Sequence, residues 1–252
     1  MKKTLLSLGT AALLGLASAS ASAALTNVGG VVWDPDAVNA FPSAIDFTGK
    51  GSVFENSVNP DLGVTHVTGW GAISNFNSQA IGGNQTSFCP GCELTYTFDM
   101  DLVSITPTSG SSANFEFGNL VVSVYRDYAN DFANTFATAG NGALWLELTL
   151  HPSTFLNGTG TDIGTGSDKG TGVADLDATG GLAMTNFDTN TRIGGSDVTF
   201  TSDFQPDGNL PAKNLTGNIT LRGNTIPEPG SLALLGLGLA GLSFAQRRRS
   251  SK

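Results

Sequence analysis

The sequence predicts an all-β fold for the body of the chain, an antiparallel β-sandwich or jelly-roll-like domain. Apolar and polar residues alternate with a period of two in several segments, which is the pattern of strands with one buried face. Threonine is frequent, and clusters of Gly, Asn, Asp and Ser separate the alternating runs. Such turn-bounded strands are typical of antiparallel sandwiches. We expect an N-terminal signal helix and a C-terminal apolar helix to flank this domain.

The clearest strand covers residues 93–102, where two sets of side chains point to opposite faces. The apolar set is Leu94, Tyr96, Phe98, Met100 and Leu102, and the polar set is Glu93, Thr95, Thr97, Asp99 and Asp101. Further strands are predicted at 28–33, 45–54, 64–70, 119–126, 143–150, 197–204 and 215–222. Tyr128, Phe132 and Phe136 recur every four residues, which predicts a short helix or an aromatic-rich loop.

Residues 157–195 differ from the rest of the body, because ten of these 39 residues are glycine and most others are Thr, Asp or Asn. The composition predicts either a long surface excursion or several short strands joined by wide turns. The domain that contains this segment spans residues 24–225.

The N-terminus has the three parts of a secretory signal. A basic start at Met1-Lys2-Lys3 precedes an apolar stretch over 5–17, and small residues at Ala21 and Ala23 follow. The apolar stretch is shorter than the roughly 20 residues of a spanning helix. We therefore expect signal peptidase to remove residues 1–23.

The C-terminus contains a second targeting segment, residues 226–252. Pro227 and Pro229 remove two N–H donors and disfavour helix before them. Residues 230–245 carry no charge, and Arg247, Arg248 and Arg249 follow, a pattern that stops transfer and leaves the basic end in the cytoplasm. At about 1.5 Å per residue this run spans roughly 24 Å, against a hydrocarbon core of about 30 Å. We predict a transmembrane helix here that anchors the chain temporarily.

Pro227-Glu228-Pro229, an apolar Gly/Leu/Ala-rich helix and a terminal arginine cluster together resemble the PEP-CTERM sorting signal. This resemblance is confined to about the last tenth of the chain. It implies that a membrane enzyme, exosortase, cuts the chain near Pro-Glu-Pro. It also implies a bacterium that makes exopolysaccharide, biofilm or floc.

The part of the chain between the two targeting segments is strongly acidic. It holds 20 of the 21 acidic residues and six of the 12 basic ones, a net charge near −14. Such a charge repels nucleic acid and other anionic polymers. We therefore expect no nucleic-acid partner.

The two cysteines, Cys89 and Cys92, flank Pro90 and Gly91, the signature of a type II turn. A type II turn brings its end Cα atoms within about 7 Å, so an exported chain should form a disulfide here. A thioredoxin-like centre or a zinc site is the alternative. Against a thioredoxin-like centre, the residues after Cys92 have the pattern of a strand rather than a helix. Against a zinc site, the only histidines that could complete it are His66 and His151.

Calcium is the one cofactor that the composition favours, because aspartates recur in pairs. They are Asp34 and Asp36, Asp99 and Asp101, Asp162 and Asp168, and Asp175 and Asp177. The sequence contains neither an EF-hand pattern nor nonapeptide repeats. The prediction is no metal site, with calcium within 157–195 as the open alternative.

We predict that the chain is not an enzyme. A serine nucleophile needs a histidine base and usually a recognisable turn, and Gly-x-Ser-x-Gly is absent. His151 precedes Pro152 at a strand end, and His66 lies on the polar face of a strand. The runner-up is a secreted carbohydrate-active hydrolase that uses two paired carboxylates.

Aromatic side chains could stack on sugars, and the candidates are Trp33, Trp70, Trp145, Tyr96, Tyr125 and Tyr128. Trp145 is the best of them, because the alternation places it on the face of its strand that does not carry Leu144 and Leu146. Packing of Trp145 in the core is the favoured interpretation.

The sequence as a whole predicts an exported, exosortase-processed surface or matrix protein with a structural, adhesive or glycan-associated role. A calcium-dependent adhesin stays open, and the partners would be signal peptidase, exosortase, transiently the inner membrane, and matrix exopolysaccharide.

Overall fold

The computed structural model describes residues 25–35, 47–56, 65–76, 85–163, 167–206 and 214–226. The predicted signal segment, with Ala21 and Ala23, lies outside these ranges. So does the predicted tail, with Pro227 to Pro229, the apolar run 230–245 and Arg247 to Arg249. No helix in the described ranges is long and apolar enough to cross a membrane.

The described residues form eleven strands, three helices of four residues each and one short 3₁₀ turn over Ile193–Gly195. The strands are β1 (Thr26–Val28), β2 (Val31–Trp33), β3 (Phe47–Asn56), β4 (His66–Phe76), β5 (Glu93–Pro107), β6 (Ala113–Asp127), β7 (Ala143–Leu150), β8 (Leu156–Thr161), β9 (Lys169–Gly180), β10 (Val198–Pro206) and β11 (Asn214–Gly223). The helices are α1 (Gln85–Phe88), α2 (Phe136–Ala139) and α3 (Met184–Phe187).

Eight strands close into an antiparallel barrel in the order β11, β3, β4, β5, β6, β7, β9, β10. The barrel closes because β10 pairs with β11 on one side and with β9 on the other. The prediction of an all-β antiparallel fold is confirmed, whereas the predicted sandwich or jelly roll is wrong. A period of two arises wherever one face of a strand is buried, whether it meets a second sheet or the inside of a barrel. The pattern alone does not separate these architectures.

The barrel interior is filled by side chains from one face of each strand, among them Val53, Tyr96, Val122, Leu148 and Leu176, all buried. Two inward positions on β4 are glycine. A Cβ atom at Gly69 would collide with the Phe98 ring, and one at Gly71 would collide with the Tyr96 ring and the backbone of β3. The large rings of β5 fit inside the barrel because β4 presents glycine to them.

One end of the barrel, called the plugged end below, is closed by the β1–β2 hairpin, α1, α3 and the residues after β11. Buried rings meet there, and the angle between the Trp33 and Trp145 rings is 88° at a centroid distance of 5.9 Å. Phe187 from α3 lies 5.7 Å from each of these two rings. The other rings of this aromatic cluster are Phe47, Phe76 and Phe88. The opposite end, where β5 turns into β6 and β8 into β9, is called the far end.

Two local predictions need correction at the plugged end. The single strand predicted over 28–33 is a hairpin, because Gly29 and Gly30 adopt positive φ angles of 62° and 91° and turn the chain. The alternation predicts Trp145 on the face opposite Leu146, yet both are buried. The register with β6 shifts between Val124 and Tyr125, which pair with Leu146 and Leu144. Trp145 is the extra residue of this bulge and turns into the aromatic cluster.

The polar face predicted for β5 is partly wrong as well. Glu93, Thr95 and Thr97 are 7%, 0% and 8% exposed. The chain between β6 and β7 covers them: the Thr95 hydroxyl donates to the carbonyl of Ala139 at 2.7 Å. That connection is a loop followed by α2, which agrees with the predicted aromatic-rich segment.

Residues 157–195 contain most of β8 together with β9 and α3, so the interpretation as strands with turns is correct.

Candidate functional site

A groove opens in the barrel wall between β6 and β9, where β7 ends and β8 begins. β7 and β8 both pair with β6 and with β9, one after the other. Between them residues 151–155 leave the wall, and Gly118 to Leu120 of β6 have no Cα partner on either strand. The groove has a volume of about 570 Å³. Its lining includes Val103, Asn119, Leu150, His151, Ser153 and Phe155.

A histidine–aspartate pair lies beside each side of this groove. The Nδ1 atom of His151 lies 2.9 Å from both carboxylate oxygens of Asp177, which is on β9. Across the groove, Nδ1 of His66 lies 2.8 Å from Asp101, and the Asn119 amide donates to the other oxygen of Asp101 at 3.0 Å. The hydrogen bonds from Asn119 and His66 lower the pKa of Asp101. The aspartates therefore orient both imidazoles and the Asn119 amide.

Two residues of the groove have backbone conformations that L-residues seldom adopt. Asn119 has a φ of 52° and Ser153 a φ of 63°. Asparagine tolerates this region, whereas serine does so less readily. Thr154 fixes the turn at Ser153, because both its amide and its hydroxyl donate to the carbonyl of His151. Backbone strain of this kind is concentrated at binding and catalytic sites in proteins.

The groove combines an exposed aromatic ring with fixed polar groups. Phe155 is 40% exposed and Val103 is 55% exposed, so both present apolar surface to solvent. Asn119, His151 and Ser153 add an amide, an imidazole and a hydroxyl within the same lining. Ligand pockets are typically apolar with a few placed polar groups. A ring with an apolar face and hydroxyl edges, such as a sugar, matches this arrangement.

The rings that the sequence suggests for sugar stacking lie elsewhere. Trp33, Tyr96 and Trp145 are at most 1% exposed, so the core-packing interpretation of Trp145 is correct. Trp70 stacks on Phe54 at 6.4 Å on the outside of the barrel, and Tyr128 is 56% exposed beside Gly29. Tyr125 is half-buried on β6. Sequence reasoning misses Phe155, because nothing in its local sequence shows that the strand breaks there.

The predicted calcium ligands are mostly engaged with protein groups. Asp101 and Asp177 hold the two histidines, and Asp162 pairs with Lys169 at 3.3 Å. Asp175 accepts a hydrogen bond from Thr199, and Asp36 lies outside the described residues. Calcium stays an open alternative to the predicted absence of a metal site.

The structure brings together three acidic residues that the sequence does not group. Glu93, Asp127 and Asp131 each place an oxygen within 4.8 Å of the others. Burial raises the pKa of Glu93, an effect that the N–H groups of Phe132 and Asp131 oppose. Each of the three already accepts a hydrogen bond from the protein, from Phe132, Ala129 and Asn141 respectively. The bond from Phe132 to Glu93 ties the β6–β7 loop to the start of β5.

One acidic residue faces the barrel interior. Glu55 belongs to the buried face of β3, and burial raises its pKa from 4.5 to about 7. Glu55 lies in register with Gly69 and Phe98, about five residues or 17 Å along β5 from Glu93. These two buried carboxyls therefore do not form the facing pair that a glycosidase needs. The hydrolase alternative has no support from them.

The two cysteines lie beneath the plugged end. Cys89 and Cys92 are joined by a disulfide with a Cα–Cα distance of 5.1 Å. The amide of Cys92 donates to the carbonyl of Cys89 at 3.0 Å, and Gly91 has a φ of 77°, as a type II turn requires. Both are at most 2% exposed and belong to the hydrophobic core. In this position the disulfide fixes a turn beneath the aromatic cluster.

The chain leaves the barrel at the plugged end, and the last described residues are held there. Thr225 is 5% exposed, and its hydroxyl oxygen accepts a hydrogen bond from the Trp33 indole at 3.2 Å. The amide of Ile226 donates to the carbonyl of Asn186 at 2.8 Å, and the Asn186 side chain donates back to Ile226. Hydrogen bonds thus hold the chain to the barrel as far as Ile226, the last residue that the structure describes.

A family model described as the PEP-CTERM protein-sorting motif matches residues 225–249. The matched region contains Pro227, Glu228, Pro229 and the cluster Arg247 to Arg249, so the resemblance of the tail is confirmed. Comparisons with curated proteins and with solved structures gave no match. The end of this chain is a PEP-CTERM sorting motif, which indicates an exported protein that is targeted to an exosortase.

Proposed function

We propose that this protein is a non-catalytic component of the extracellular matrix that binds exopolysaccharide through the groove beside Phe155. The observation that carries the proposal is the composition of that groove. An exposed phenyl ring lies near the Ser153 hydroxyl and near an amide and an imidazole that Asp101 and Asp177 hold in place. The sorting motif supports a location where such a polymer is available.

The proposed binding uses both kinds of groove surface. The apolar face of a sugar ring would stack on Phe155 and contact Val103 and Leu150. Its hydroxyl groups would bond to Asn119, His151 and Ser153. Because the exported part of the chain has a net charge near −14, an anionic polymer would be repelled. The proposed ligand is therefore a neutral polysaccharide.

Export and sorting would deliver the barrel to that polymer. In this proposal signal peptidase removes residues 1–23, and the apolar run 230–245 holds the chain in the inner membrane for a time. Exosortase then cuts near Pro227, and the barrel reaches the cell surface or the matrix. The adhesive role is secondary to glycan binding in this scheme.

The proposal is tested with a matched pair of phenylalanine variants. Phe155 and Phe136 are 40% and 46% exposed, and they lie on different parts of the barrel surface. We expect Phe155→Ala to weaken binding of the host's neutral exopolysaccharide about tenfold, as the loss of one aromatic contact implies. Phe136→Ala should leave the affinity unchanged. Equal affinities of wild type and both variants, measured by calorimetry, would refute the groove as the binding site.

A further inference from the structure

The plugged end of the barrel presents apolar side chains to solvent around the point where the chain leaves for its tail. The exposed residues are Leu25, Tyr128, Leu182, Ile193 and Ile226, and Ile193 is 75% exposed. Isolated apolar residues are ordinary on a protein surface, but a group of them at one end of a molecule indicates a contact surface.

Hydrogen bonds and packing place these five residues on segments that meet one another. Ile226 bonds to Asn186, which is part of α3, close after Leu182 in the chain. Leu182 packs beside Gly29, whose carbonyl accepts a hydrogen bond from the hydroxyl of Tyr128.

The other two positions are connected to the same end through the last described residues. Leu25 precedes Thr26, which pairs with Trp33, and the Trp33 indole bonds to Thr225. Ile193 follows Thr191, whose hydroxyl accepts a hydrogen bond from Asn224 at 2.9 Å. We call the five residues the exit rim.

The length of the connection decides what can cover the exit rim. Only Pro227, Glu228 and Pro229 separate Ile226, which is bonded to the barrel, from the apolar run that begins at Gly230. Four extended residues span at most about 14 Å. The headgroup layer on one side of a bilayer accounts for about half of that distance. A tail inserted from Gly230 onward therefore brings the plugged end to the headgroup layer.

We propose that the exit rim rests on the bilayer surface while the sorting tail is inserted. This inference rests on the transient membrane anchoring that is part of the proposed function. Aliphatic side chains and a tyrosine are suited to the boundary between headgroups and acyl chains. Because the barrel is acidic, its contact with the membrane is apolar rather than electrostatic. The groove at Phe155 opens through the middle of the barrel wall, between β6 and β9, rather than on the end surface that the exit rim forms.

The test uses the full chain reconstituted in phosphatidylcholine vesicles. Single fluorescent labels are attached at Ile193→Cys on the exit rim, at Thr171→Cys near the far end and at Leu235→Cys in the tail. Cys89 and Cys92 are already bonded to each other and do not react. Lipids with a quencher on the headgroup or on the acyl chain then report where each label lies.

We expect acyl-chain quenching at position 235, and headgroup quenching several-fold stronger at position 193 than at 171. Leu182→Asp should reduce quenching of the label at 193, whereas Val173→Asp, also at an exposed apolar position but near the far end, should not. A tail label buried in the bilayer with equally weak quenching at 193 and 171 would overturn the proposal alone. A tail label that stays in water would overturn both the proposal and the membrane anchoring, while glycan binding at Phe155 is tested independently of either.

Discussion

The two ends of the barrel are built from different kinds of contact. At the far end the chain turns between neighbouring strands, as between β5 and β6. At the plugged end, rings from residues 33, 76, 145 and 187 meet although they are far apart in sequence. The plugged end also holds the disulfide and the start of the sorting tail. The aromatic contacts and the start of the sorting tail thus lie at one end, and the groove opens through the barrel wall between β6 and β9.

The largest predicted effect is on the free energy of unfolding, and it separates two phenylalanines in short helices, one buried and one exposed. Phe187 ends α3 and is fully buried in the aromatic cluster, whereas Phe136 begins α2 and is 46% exposed. We expect Phe187→Ala to lower the free energy of unfolding by about 3–5 kcal/mol. Phe136→Ala should lower it by less than about 1 kcal/mol. Chemical denaturation measures both, and similar losses would contradict a core centred on the plugged end.

A second prediction concerns Glu55, near the far end of the interior. Its pKa in the folded state is about 7, above the 4.5 of an unburied glutamate. Between these values the unfolded chain releases a proton that the folded chain retains, so stability falls as pH rises from 4.5 through 7. The difference between the two pKa values corresponds to about 3 kcal/mol.

Glu55→Gln removes this cost without changing the shape of the side chain. At pH 8 the variant should be more stable than wild type by up to about 3 kcal/mol, and at pH 4 the two should be equal. Urea unfolding at both pH values measures the difference. A stability difference that does not depend on pH would show that Glu55 is not buried in the barrel.

The third prediction separates local from global stability at the exit of the tail. Thr225→Val removes the acceptor of the Trp33 indole N–H and should cost about 1–3 kcal/mol, mostly as local opening of residues 224–226. The amide of Ile226 should then exchange its hydrogen faster.

Thr216→Val is the control, because Thr216 is on β11, the strand that leads to Thr225, but its hydroxyl donates to the carbonyl of Val53, away from the exit. It should leave exchange at Ile226 unchanged. If both variants leave that exchange rate at the wild-type value, the exit segment is not held by Trp33.

Local patterns in the sequence predict most strands but not how they close. The alternation over 93–102 correctly places Leu94, Tyr96 and Phe98 inside. It also places Glu93 and Thr95 in solvent, which is wrong because the β6–β7 loop folds over them. Whether a strand's second face is covered depends on a segment that is distant in sequence, and periodicity carries no information about it.

The candidate site is the least predictable part. His66 and His151 stand out as the only histidines, but their aspartate partners depend on strand register. Phe155 gains importance only because β7 ends at Leu150 and β8 resumes at Leu156. By contrast, the tail is recognisable from Pro227, Glu228 and Pro229 with the apolar run and arginines after them, because these features follow one another directly in the sequence.

The most direct test of the central claim is the intact mass of the protein recovered from its host, compared with a strain that lacks exosortase. We predict a chain from Ala24 to near Pro227 in the first strain, with any added mass at the new C-terminus. In the second strain the chain should retain Arg247 to Lys252. A tail that is retained in both strains would contradict exosortase processing and leave a protein anchored by its own C-terminal segment.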